Sequence, residues 1–277
     1  MDNAAYHAHP AVSKSHLDLI ARSPLHYWSR YLDPNRKPLE PTPAMRLGTA
    51  FHTHVLELER WDAEIAVAPA CDRRTKAGKE AYAAFQDAAA GKTVISADDA
   101  EQVQAMGKAV FRHPGAAMLL GRPGKAETTH MWTDATYGIE CKCRPDWLSD
   151  DGTIVVDLKT TKDASPRGFR RSIGEFRYQV QAAWYLHGLE QATGRRPDQF
   201  VFICVEKEPP YACAVYAADA EMIERGHQQA MADLGELAIC RAADRWPSYS
   251  DQIETIGLPG WMTGVGNSDQ TTMIETF

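Results

Sequence analysis

Nowhere in its 277 residues does the chain carry an apolar run approaching the ~20 residues of a membrane span. The first residues, with Asp2, His7 and His9, lack the basic-then-apolar pattern of a secretion signal, so a cytoplasmic protein is expected. Cysteine is sparse: the six residues, at 71, 141, 143, 204, 213 and 240, contain no Cys-x-x-Cys pair. That spacing argues against a zinc or iron–sulfur site and for free, mostly buried thiols. A general basic excess is missing too. The net charge of −7 excludes a protein that holds nucleic acid all over its surface. Internal repeats are also absent.

Basic charge is instead concentrated. Between positions 159 and 177 six bases (Lys159, Lys162, Arg167, Arg170, Arg171, Arg177) stand against Asp163 and Glu175, a net +4 that leaves −11 on the rest. Arg73, Arg74, Lys76 and Lys79 form a smaller cluster. Segregation of this kind can focus a polyanion on one site, although a solvated helix face has the same composition.

The pattern of apolar positions predicts the elements. Ser13 caps a short helix to residue 21, and Ser23-Pro24 starts a second. Four prolines between 33 and 43 make a spacer. A helix over 44–61 carries Leu47, Phe51, Val55 and Leu58 on one stripe, and Ala-rich helices follow at 75–90 and 97–112. The period then changes to 2. Strands at 127–133 and 138–144 are expected to run on into a hairpin over 146–159 as one antiparallel sheet. A helix at 175–193, a strand pair at 200–206 and 211–217, a long helix at 219–243 and an irregular tail from Trp246 through Trp261 complete the chain. The expectation is an α/β protein with a central mixed sheet flanked by helices. It is read as a single domain over 1–277: N-terminal helices and a Pro-rich loop to 43, a core over 44–245, and a tail over 246–277.

The hairpin is where the chemistry gathers. Asp150-Asp151-Gly152 between apolar runs is a turn signal, and Asp146 and Asp157 lie on either side of it. Antiparallel pairing sets those carboxylates roughly opposite each other, about 4.5–5.5 Å apart at Cβ. Asp157 and Lys159 are two apart and share a strand face. On the helix over 44–61, His52 and His54 are about 200° apart, so at most one can face a shared site. Gly48, one turn before His52, permits close approach of a backbone or ligand. Gln181 and Tyr185 lie one turn apart on a later helix.

Four motifs thus occur in order: Gly48-Thr-Ala-Phe-His52-Thr-His54, Asp146, Val156-Asp157-Leu158-Lys159-Thr160-Thr161, and Gln181-Ala-Ala-Trp-Tyr185. Together they resemble the PD-(D/E)XK nuclease superfamily, and within it the RecB-like branch and the nuclease domain of exodeoxyribonuclease VIII (RecE) type. Ser13-Lys-Ser-His-Leu17 and Ser23-Pro24 are similar to the opening of RecB-like nucleases. Ser23 stands where some relatives place a cluster-binding cysteine, so no iron–sulfur cluster is expected.

The resemblance implies a restriction-endonuclease-like core and a divalent-metal-dependent exonuclease. Asp146 would bridge two Mg2+ ions, for which Mn2+ can substitute. Asp157 and the Leu158 carbonyl would ligate one ion and His52 the other. Lys159 would orient the attacking water and stabilise developing charge, and Gln181 and Tyr185 would hold the scissile strand. Arg167, Arg170, Arg171 and Arg177 are candidate phosphate contacts. The implied substrate is linear double-stranded DNA, degraded 5′ to 3′ to leave 3′ single-stranded tails for recombination. A RecT-like single-strand annealing partner and a ring-shaped homo-oligomer are implied as well. The alternatives are a structure-specific or single-strand nuclease of the same fold, or a non-catalytic DNA-binding module.

Overall fold

The computed structural model describes residues 1 and 3–258. Helices α1 (Asn3–Ala8), α2 (Lys14–Arg22) and α3 (Pro24–Tyr31) lead into α4 (Pro43–Leu56) and the single-turn α5 (Trp61–Glu64). A short parallel pair, β1 (Ile65–Val67) and β2 (Thr93–Ile95), brackets α6 (Lys76–Ala88). After α7 (Ala97–Arg112) and α8 (Pro114–Leu120) come β3 (Gly124–Ala126), β4 (His130–Thr133), β5 (Glu140–Cys143), β6 (Trp147–Ser149) and β7 (Ile154–Thr161). The chain continues through α9 (Pro166–Phe176) and α10 (Tyr178–Thr193) to β8 (Gln199–Glu206), β9 (Cys213–Ala217) and α11 (Ala220–Ala243).

Local chemistry sets the helix starts. Ser23, Thr42 and Ser165 each accept a hydrogen bond from the amide three residues on, and a proline follows each at the first helical position. Asp219 caps α11 through the Met222 amide at 2.8 Å. Among the described residues no helix is long and apolar enough to cross a membrane.

The main sheet has the order β3-β6-β7-β8-β9, with only β7 and β8 parallel. That parallel step requires a crossover, which α9 and α10 supply. Being central, β7 is buried on both faces. Val155 packs in a core with Trp184, Leu189, Phe200 and Leu234, while Val156 and Leu158 join Phe51, Val103, Met106 and Ile203 on the other side. Truncating a core aromatic such as Phe51 or Trp184 to alanine should cost about 3–5 kcal/mol. The period of 2 puts Asp157 and Lys159 on the face of Val155, toward α10.

The mixed sheet flanked by helices agrees with the expected class, and three details differ. The helix predicted over 44–61 stops at Leu56, and Leu58, expected on its apolar stripe, is exposed. Arg60 there ties Glu57 to Glu64 in a tight single turn. The strands predicted over 127–144 do not continue the main sheet. β4 and β5 form a separate pair, with Val12 bridged to Cys141 on β5, because Glu127 takes a left-handed φ of 52° after β3 and Pro145 lacks an amide for the ladder before β6. β3 takes the vacant edge beside β6 instead. Finally, the helix predicted over 175–193 is two helices broken at Arg177, whose φ is 53°. Residues 246–258 form no helix or strand, and Pro259, Gly260 and Trp261 of the expected tail lie outside the described residues.

Candidate active site

The β6–β7 turn is built as its residues dictate. Gly152 adopts φ +67°, and Asp151 accepts hydrogen bonds from the Thr153 amide (3.0 Å) and hydroxyl (2.7 Å). Trp147 pairs with Val156, so Asp146 stands across from Asp157 one step beyond the ladder. The main-chain amide of Leu158 donates to Asp146 Oδ2 at 2.7 Å. Asp157 is fully buried, contacting Lys159 Nζ through Oδ2 and accepting from Gln181 Nε2 at 2.5 Å through Oδ1. Lys159 Nζ also lies 4.9 Å from the centre of the Tyr178 ring.

Charge in this end of the sheet is tightly coupled. Burial, then the neighbouring Asp157, raises the Asp146 pKa well above the ordinary carboxylate range. Burial alone would lower the Lys159 pKa, but Asp157 and Asp146 outweigh it and raise it. Lys159 is therefore a committed ammonium while the carboxylates stand ionised.

His52 reaches the same place from α4. Its Nε2 is 3.1 Å from the Leu158 carbonyl and its Nδ1 is 3.4 Å from Asp146 Oδ2. A neutral imidazole has one N–H, so it can donate to one of these acceptors and must point a lone pair at the other. Protonating the ring would satisfy both, but burial lowers the His52 pKa. A cation beside His52 and Asp146 resolves the conflict. Two aspartates, a main-chain carbonyl and one imidazole suit Mg2+ or Mn2+, and the donor set fits that group.

One residue of the cluster was not anticipated. Glu127 was expected merely to begin a strand, yet its carboxylate, His52 and Asp146 offer ligand atoms all within 4.8 Å of one another. Burial, followed by the charge of Asp146, pushes its pKa up to about 7. No sequence signal marks Glu127, because its place depends on β3 joining the sheet beside β6.

The other candidates divide. Gln181 is on the site itself. Tyr185 lines a cavity of about 380 Å3 with Gln181, Lys14 and Glu127, and packs edge-on against Phe200. A second cavity, of about 320 Å3, lies along α4 and is lined by Gly48, Thr49, His52 and Arg60. A Cβ added at Gly48 would meet nothing within 4 Å, so that wall is open as its glycine suggested. His54 turns away toward Trp61 and Gly107. Arg167, Arg170 and Arg171 are exposed on α9. Arg177, offered as a phosphate contact, is drawn into the fold. It pairs with Asp233 (2.5 Å) and Asp18 (3.4 Å) and donates to the Leu17 carbonyl at 3.2 Å. All six cysteines are free, four of them buried. Ser23 caps α3.

Residues 13–259 match the family described as a PDDEXK-like domain of unknown function, DUF3799. No curated protein matches the chain. Among solved structures, a proposed exonuclease from Eubacterium rectale superposes with a TM-score of 0.62 at 14% identity, covering 96% of this chain and 98% of its own. That likeness establishes a shared fold. A phage-related exonuclease from Haemophilus somnus (TM-score 0.35, 12% identity, 62% of this chain and 85% of its own) is more distant. So is an alkaline exonuclease from Laribacter hongkongensis (TM-score 0.29, 17% identity, 67% of this chain and 98% of its own).

Proposed function

The chain belongs to this PDDEXK-like family, and from that premise we propose that it is a divalent-metal-dependent DNA exonuclease. The observation that carries the reading is the packing of His52, Asp146, Asp157, Lys159 and Gln181 into one cluster at the end of β6 and β7. In this reading Asp146, Asp157 and the Leu158 carbonyl would hold one cation, and His52 with Asp146 would hold a second. When bound, such ions polarise the scissile phosphate and lower the pKa of an attacking water.

The remaining steps belong to side chains of this protein. Gln181 fixes the Asp157 carboxylate through Oδ1, so that Asp157 keeps one orientation as charge builds up. Lys159, held against Asp157, acts as a preorganised cation toward the phosphate as its charge builds up. Tyr185 lies along the wall shared with Gln181 and steers the strand that enters there. Arg167, Arg170 and Arg171 on α9 supply phosphate contacts farther from the reacting bond.

The substrate in this proposal is linear double-stranded DNA, cut 5′ to 3′ with two Mg2+ ions to leave 3′ single-stranded tails. The resemblance of the motifs to RecE-type nucleases extends it to a ring-shaped homo-oligomer and an annealing protein that takes up the product strand. The deciding experiment is digestion of linear duplexes labelled at one 5′ or one 3′ end, beside closed circles of the same sequence. Magnesium-dependent release of 5′ label from linear DNA alone is expected. Cutting of closed circles would replace the exonuclease by an endonuclease, and no cutting of any substrate would leave a binding module.

A further inference from the structure

The cation site of His52 and Asp146 is one carboxylate short. Asp157 is not free to supply it, being the carboxylate assigned to the first cation, where Gln181 and Lys159 hold it. Glu127 can. Its own main chain is turned toward the site, with a left-handed φ of 52° and an amide that donates to the Asp146 carbonyl at 3.1 Å. Non-glycine residues adopt that region rarely and persist there where their surroundings over-determine them. Arg144 Nε grips Glu127 Oε2 at 2.7 Å. A carboxylate has about four lone-pair sites, so this bond leaves the other oxygen available. Arg144 is itself fixed, its side chain only 6% exposed and bonded to the Met1 carbonyl at 3.1 Å. Glu127 and Arg144 both line the two cavities that open on either side of the cluster.

We infer that Glu127 is the carboxylate ligand of the second cation, beside His52 and Asp146, and that Arg144 is the positioning residue that aims it. The inference rests on the metal-dependent nuclease reading and deepens it. The two ions then have different carboxylates, Asp157 for one and Glu127 for the other, with Asp146 common to both.

The test is titration of the full chain with Mn2+ alone, followed by calorimetry and by the electron paramagnetic resonance of free Mn2+. Wild type should bind two ions. Glu127→Gln, which preserves shape and can still meet Arg144, should weaken one ion by at least about 100-fold and spare the other. Asp157→Asn should weaken the ion that Glu127→Gln spares. Arg144→Lys should weaken the Glu127 ion by about 10- to 100-fold, the usual loss for an outer partner of a ligand. If Glu127→Gln melts below the assay temperature, Glu127→Asp gives the same readout with a smaller loss. Both ions bound with wild-type affinity by Glu127→Gln would overturn the inference and leave the nuclease reading standing. Loss of the same single ion in both Glu127→Gln and Asp157→Asn would overturn it too. A wild type that binds no Mn2+ would overturn both.

Discussion

Two clusters of partly buried charge lie in this molecule, and they are balanced differently. Where α2 meets α10 and α11, Arg177 and Lys14 face Asp18 and Asp233, two bases for two acids. Lys14 pairs with Asp18 at 2.7 Å and Arg177 with Asp233 at 2.5 Å. At the end of β6 and β7 there are three carboxylates, Glu127, Asp146 and Asp157, against Lys159 and Arg144. His52 adds no charge there, since burial lowers its pKa. Removing an ion from water costs several kcal/mol unless it is paired. The first cluster has met that cost within its own side chains. The second has three carboxyl groups for two cations, two of them with raised pKa values, and an imidazole lone pair with no donor to meet it. Matched charge serves as scaffold, and surplus carboxyl groups around a lone pair are a place for a cation.

The largest effect that could break this contrast is on turnover. Lys159→Ala removes the cation that faces the reacting phosphate and should lower magnesium-dependent nucleotide release by about 100- to 1000-fold or more. DNA affinity, read by fluorescence anisotropy, should hardly change. Turnover near wild type would mean that Lys159 balances Asp157 and nothing else.

Next in size is a stability effect at the balanced cluster. Arg177→Met leaves Asp18 and Asp233 without their shared partner and deletes a donor to the Leu17 carbonyl. These groups are partly solvated, so the loss should be about 1–3 kcal/mol rather than the full penalty of a buried orphan. Thermal melts should move down by several degrees while turnover at a permissive temperature stays near wild type. A fall in DNA affinity with no change in melting would return Arg177 to the substrate.

These two residues also show what a one-dimensional reading can reach. Asp146, Asp157 and Lys159 were legible because an Asp-Gly turn sets the register and a period of 2 sets the face. Gln181 and Tyr185 were legible because helical spacing needs no partner. Arg177 looked like every other base in its segment, for its acids lie 159 and 56 positions away along the chain. Glu127 was hidden for a related reason. Its approach to Asp146 depends on β3 skipping β4 and β5 to pair with β6, and on a left-handed turn that a non-glycine residue rarely makes. The split of the main sheet from the β4–β5 pair was missed with it.

A smaller effect sharpens the account of the surplus. The Glu127 pKa is pushed up to about 7 in the folded protein from an ordinary 4.5, by burial and then by Asp146. Between those values the folded state binds more protons than the unfolded one. Stability from this group is therefore greatest at low pH and is lost as pH rises toward 7, with no further change above. His16 works in the opposite sense, since burial lowers its pKa to about 3, but it is common to wild type and Glu127→Gln and cancels in their difference. Metal-free wild type should lose melting temperature relative to Glu127→Gln as pH goes from 4.5 to 7. A flat difference would mean that Arg144 alone compensates Glu127, and the site would then be as balanced as the other.

The smallest effect concerns exposed charge. Arg170 and Arg171 lie in solvent on α9, whereas Arg177, one residue past the end of the same helix, is committed to Asp18 and Asp233. Each lysine or arginine that neutralises a phosphate releases condensed counterions, so log affinity falls with log salt by about 0.9 per contact. Measured on a Lys159→Ala background between ~50 and ~200 mM salt, the paired change Arg170→Ala and Arg171→Ala should flatten that slope by up to about two contacts' worth. Arg177→Met should leave the slope as it is, because a guanidinium already paired with acids inside the fold neutralises no phosphate and so releases no counterions from the DNA.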